Sequence, residues 1–144
     1  MEPSGIVGKP IDISELEHLL MDWLLAGQDP MLEALRNQYV TATVSEREFS
    51  GAGFFTSFAV DPWMPKVLPP DFTFGDVHID LVGLVQGAGA VLFVRDGVID
   101  FLEVYTYEDD WPQTLELISI RYGPTVPGTE MRDLDWIRRN WQSS

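Results

Sequence analysis

The chain has 144 residues and a mass of 16.3 kDa, contains no cysteine, and carries 9 basic against 23 acidic residues for a net charge of −14. A chain of this length buries enough apolar surface to form one domain, residues 1–144, without a disulfide or structural metal. The missing cysteines exclude thiolate zinc sites, a disulfide scaffold and a cysteine nucleophile, and the charge, −7 on each half of the chain, repels nucleic acid and anionic lipid.

Residues 1–12 hold glycine and proline without periodicity and read as a loose arm. Met1-Glu2-Pro3 opens without the basic and apolar regions of an export signal, so a cytoplasmic location is expected. Ser14 and Glu17 have the spacing of a capping box. Leu16, Leu19, Leu20, Trp23 and Leu24 then fall on one helical stripe, and Asp29-Pro30 starts a second helix carrying Leu32, Leu35 and Tyr39. A helical hairpin over residues 13–38 follows.

From residue 40 the period becomes two, with Val40, Ala42 and Val44 alternating with polar residues, and an antiparallel sheet region is expected over residues 39–122. Phe54 to Val60 reads as a returning strand. The segment 61–71 holds Pro62, Pro65, Pro69 and Pro70, which cannot serve a ladder, and is expected as an ordered loop or edge excursion. Val77, Ile79 and Leu81 alternate again, the apolar run from Ala90 to Val94 has the character of a central strand, and Asp96-Gly97 is a hairpin turn. Val98 to Tyr107 and Leu115 to Tyr122 complete an antiparallel meander of about five or six strands. Met131, Leu134, Ile137 and Trp141 mark a C-terminal helix over residues 129–142. The fold class is therefore α+β, with helices on one face of the sheet.

Three constellations bear on chemistry. Asp76, His78 and Asp80 alternate on one strand face, a row able to hold a divalent ion but read first as a solvated outer face, since Val77, Ile79 and Leu81 take the inner one; no metal and no cofactor is expected. Glu103 lies in an apolar strand beside Tyr105 and Tyr107. It is either held by Arg47, Arg95 or Arg121 or is a functional carboxylate in a pocket between sheet and helices, served by His78. Glu108, Asp109 and Asp110 gather three charges before Trp111-Pro112, the mixture of acid and aromatic that selects a basic protein partner. Arg132, Arg138 and Arg139 read as favourable charges near the end of the last helix.

The run from Leu92 to Tyr107 (LFVRDGVIDFLEVYTY), with Trp111-Pro112, Leu35 to Gln38 and Gly51 to Phe55, resembles a pattern in small bacterial proteins of uncharacterised function. In size, charge and fold class the chain is also similar to immunity proteins of bacterial toxin systems, which implies an inhibitor of a basic toxin. The expectation is a non-enzymatic protein-binding module using Glu108, Asp109, Asp110 and Trp111. The competing expectation is a small enzyme or ligand-binding domain built on Glu103, Tyr105, Tyr107 and His78. Self-association through the C-terminal stripe is a further outcome left open.

Overall fold

The computed structural model describes residues 9–142, so most of the expected N-terminal arm, residues 1–8, lies outside the described residues. Within its remainder, β1 (Pro10–Ile11) pairs with Glu116 and Leu115. Asp12 follows as the cap of α1 (Ile13–Leu24): its carboxylate accepts from Glu15 N at 2.8 Å, and Glu15 returns the bond to the Asp12 amide. The capping box is thus Asp12 and Glu15 rather than Ser14 and Glu17. Ser14 Oγ merely donates to Asp12 at 2.7 Å, and Glu17, released from capping, is buried elsewhere. Asp29 caps α2 (Pro30–Thr41) as the sequence predicts, accepting from Met31 N at 2.8 Å. This helix runs through Val40 to Thr41, so the sheet begins at Thr43, three residues later than the alternation implied, because helical hydrogen bonding absorbs the first polar–apolar repeat.

The strands are β2 (Thr43–Ser50), β3 (Gly53–Ala59), β4 (Phe72–Leu81), β5 (Ala88–Arg95), β6 (Val98–Thr106) and β7 (Leu115–Tyr122). They form a seven-stranded antiparallel sheet in the order β1-β7-β4-β5-β6-β3-β2, with β5 at its centre. Only β4, β5 and β6 make a meander. The chain passes from β3 to β4, and again from β6 to β7, by connections that skip two strands. The proline segment is the first of these: it straps the β5–β6 turn, where Val67 N donates to Gly97 O and Gly97 N to Pro70 O, both at 2.9 Å. Asp96 (φ 54°) and Gly97 (φ 79°) have the two positive φ values of a type I′ hairpin. Fully buried Gln38 ties α2 to this junction, donating to Pro65 O and Gly97 O and accepting from Ile99 N at 3.0 Å or less.

The helices cover one face of the sheet. Leu16, Leu20 and Leu24 of α1 and Leu32 and Leu35 of α2 pack on Phe54, Ile79, Leu92, Leu102 and Val104, all buried. A bulge between Phe74 and Val77 interrupts the alternation of β4. At Gly75 a Cβ would lie 2.6 Å from Ala90 O, so only glycine fits. The extra residue turns Asp76 inward, fully buried, where Arg132 grips it through two bonds of 2.9 and 2.8 Å. The expected row of Asp76, His78 and Asp80 is therefore split, with only the last two on the outer face.

Arg132 precedes the last helix, α3 (Leu134–Gln142), which starts five residues later than the stripe implied because 125–132 forms a bridged turn. Ile137 and Trp141 are buried, the latter against Phe72 and Phe74, whereas Met131 is outside the helix and exposed. Of the arginines assigned to its dipole, Arg132 serves Asp76 and Arg138 reaches Asp29 at 2.8 Å. Among the described residues no helix is long and apolar enough to cross a membrane.

Candidate functional site

Three places on this framework gather functional side chains. The first is the acidic turn. Beyond β6 the chain folds back on itself, with the Thr106 hydroxyl donating to Asp109 O, and Asp109 turns its carboxylate to the β4–β5 loop. There it accepts from Val85 N at 2.9 Å and from Gln86 N at 3.4 Å. Asp109 is accordingly a brace, while Glu108 and Asp110 are exposed beside it. The loop so held displays Val85, 82 % exposed, and Val82. Trp111 is half-buried: its ring meets Phe54 edge-on at 5.4 Å and its amide donates to Gly51 O at 2.9 Å. Acid and apolar groups from two loops distant in sequence thus share one end of the sheet.

The second place holds Glu103, Tyr105, Tyr107 and His78, on the face away from the helices. Glu103 does not face the helices, as the expected pocket required: on that side of β6 lie buried Leu102 and Val104. Glu103 lies level with Phe55 and Val91, and none of the three arginines proposed for it is available. Arg47 binds Glu17, Arg121 binds Asp80, and Arg95 donates to Phe72 O and Val94 O. His78 spans Tyr107 Oη and Gly123 O. Since a carbonyl only accepts, Nε2 carries the proton and Nδ1 accepts from the phenol. Burial, with Tyr105 and Asp80 adding to it against Arg121, pushes the Tyr107 phenol up to about 12. Tyr105 and Tyr107 meet edge-on at 5.6 Å, and the same open sheet face carries a second aromatic group in which Phe101 stacks on Phe93 and meets Phe55.

The third place was not foreseen. Glu17, 4 % exposed, accepts two bonds from Arg47 of β2 at 3.0 and 3.2 Å and one from the Thr56 hydroxyl, a pairing that offsets the cost of burying the charge. Beside it a cleft of about 1120 Å³ opens between α1, the end of α2 and β2. In it His18 Nδ1 lies 3.0 Å from Tyr39 Oη, and Asp22 is 3.6 Å from His18 Nε2. Burial, then the charges of Asp22 and Glu17, raises the Tyr39 pKa, so the phenol stays protonated and donates to His18. Leu19, placed on the core stripe by its spacing, packs half-buried at the margin of the core and also lines this cleft. A second cleft of about 590 Å³ continues from Ile11 past Phe49 to Trp111. A sequence signal did exist: Glu46, Arg47 and Glu48 put three consecutive charges inside one strand, a mark of a sheet edge. Comparison with family models, curated proteins and solved structures finds no match to this chain.

Proposed function

We propose that this chain is a non-enzymatic protein-binding module that takes a basic protein, in the manner of an immunity-type inhibitor of a basic toxin. One observation carries the reading: Asp109 ties the acidic turn to the β4–β5 loop, so that exposed Val85 is held beside the turn that carries exposed Glu108 and Asp110. An apolar contact next to exposed acids suits a basic partner, since charge speeds encounter and apolar burial slows escape. The net charge of −14 favours the same class of partner. Trp111, half-buried on Phe54 directly after the turn, anchors it to the core and adds an aromatic group beside the acids.

The test is capture of basic proteins from the native host on the wild-type chain and on Glu108→Lys/Asp110→Lys, followed by binding kinetics on whatever the wild type retains. The charge reversal should slow association by tenfold or more and flatten its salt dependence. Val85→Asp should instead speed dissociation, at a cost of about 2 kcal/mol. A partner held equally by all three proteins, or indifferent to salt, would refute the assignment.

A further inference from the structure

The last strand in the sheet, β2, is hydrogen-bonded to β3 on one side and to no strand on the other among the described residues. It is eight residues long, against two for β1 at the opposite edge. Its register decides where its side chains face. Val44 is opposite Phe58, Arg47 opposite Thr56 and Phe49 opposite Phe54, and those partners all lie on the helix-covered side. Glu46 is opposite Ser57 and Glu48 opposite Phe55, on the open side. One face of the edge is therefore acidic. The other is apolar apart from Arg47, whose charge Glu17 already neutralises, and Val44 and Phe49 remain 45 % and 60 % exposed there. The two clefts lie on that second side: Val44 and Phe58 line the larger, Phe49 and Trp111 the smaller, and Ile11 joins them.

We propose that the free edge of β2 is a strand-addition site for an extended segment of a basic protein in which Lys or Arg alternates with apolar residues. The main chain of that segment hydrogen-bonds to β2. Its apolar side chains enter the clefts beside Val44 and Phe49, and its basic side chains lie opposite Glu46 and Glu48, following the period of two along any strand. Charge selects this occupant over a second copy. Two β2 edges brought together would set Glu46 and Glu48 against their equals on chains of net charge −14, an arrangement that like charges disfavour. The acids and the bulge between Val44 and Glu46 guard the edge against neutral strands, and the same acids admit a basic one. That the segment belongs to a protein rests on the function proposed above; the edge and its register do not.

The experiment titrates the full chain with an acetylated and amidated octapeptide of four Lys-Val repeats at physiological salt. Binding is expected, with slowed hydrogen exchange at those β2 amides that are not bonded to β3. Methylating alternate peptide nitrogens along one edge should weaken binding tenfold or more, and along the other should leave it unchanged, although charge and side chains are the same in both. Glu46→Lys/Glu48→Lys should also weaken it at least tenfold, whereas Glu108→Lys/Asp110→Lys should not alter it. Absence of binding, equal binding by both methylated peptides, or protection outside β2 would overturn strand addition. None of these results touches the acidic turn, whose own failure would show as a protein partner insensitive to Glu108, Asp110 and Val85.

Discussion

The buried pair of Asp76 and Arg132 offers the sharpest test of the fold. The Asp76 carboxylate is fully buried and the Arg132 side chain is 6 % exposed, so removing either partner strands the other's charge away from water. In Asp76→Ala, Arg132 loses two charge-assisted bonds, each worth about 1.5–3 kcal/mol. It keeps a bond to Ala26 O at 2.7 Å and its place over the rings of Tyr122 and Phe74, which cushions the loss. The net cost expected is about 3–4 kcal/mol, within the range for broken buried pairs and a large share of the 5–15 kcal/mol typical of whole domains. Arg132→Met should cost a similar amount by leaving Asp76 unpaired. The double variant Asp76→Ala/Arg132→Met leaves no orphan charge and should recover at least half of the summed loss. Urea unfolding followed by tryptophan fluorescence reads this directly, the midpoint falling while the slope holds. A single-variant cost below about 1 kcal/mol, or strictly additive losses in the double variant, would refute the claim that the pair is a buried unit.

Other outcomes follow from the same geometry. Gly75→Ala should destabilise the chain measurably in the same assay, because its Cβ would meet Ala90 O at 2.6 Å. Ile137→Ala, at a fully buried position, should cost about 2–5 kcal/mol, while Met131→Ala, at an exposed one, should change the melting temperature little. For Tyr107 the folded pKa, about 12, is raised above the ordinary value of about 10. Its contribution to stability is therefore whole below pH about 10 and is lost as pH climbs through 12. Tyr107→Phe should flatten the fall in thermal stability over that window, and unchanged steepness would count against the assignment.

Local chemistry was legible wherever it acts over a few residues. The bounds of β7, the cap at Asp29 and the turn at Asp96-Gly97 all follow from neighbours in sequence, and so does the apolar run that becomes the central strand β5. Strand order was not legible, because alternation says that a strand exists and not which strand it meets. The connections over 60–71 and 107–114 are long enough to skip neighbours, and that freedom turned the expected meander into the order observed. The Asp76 inversion had a different cause. A bulge shifts the phase of every residue beyond it, and its only local mark is a glycine needed for close approach to β5. The capping box moved for want of a local distinction, since Asp12 and Glu15 have the same spacing as Ser14 and Glu17, and only capping by Asp12 and Glu15 leaves Glu17 free for Arg47.

The candidate surfaces divide along the same line. Glu108 to Trp111 is readable as an acidic and aromatic cluster, but its link to Val85 spans 24 residues and has no sequence pattern. The groove along β2 exists because β2 ends at an edge, a consequence of the strand order itself. Charge accounting connects the two. Of seven arginines, Arg36, Arg47, Arg95, Arg121, Arg132 and Arg138 are engaged within the fold, by carbonyl oxygens or by Glu17, Asp80, Asp76 and Asp29. The basic residues are thus largely spent on structure, and the carboxylates they answer are mostly not those facing outward at Glu46, Glu48, Glu108 and Asp110. At physiological ionic strength charges are screened beyond about 8 Å, so the total of −14 acts on encounter, whereas a partner once in contact responds mainly to these local acids. Charge reversals at the two surfaces should therefore act on binding separately, while equal reversals at Asp100 or Glu130, outside both, should leave it unaltered.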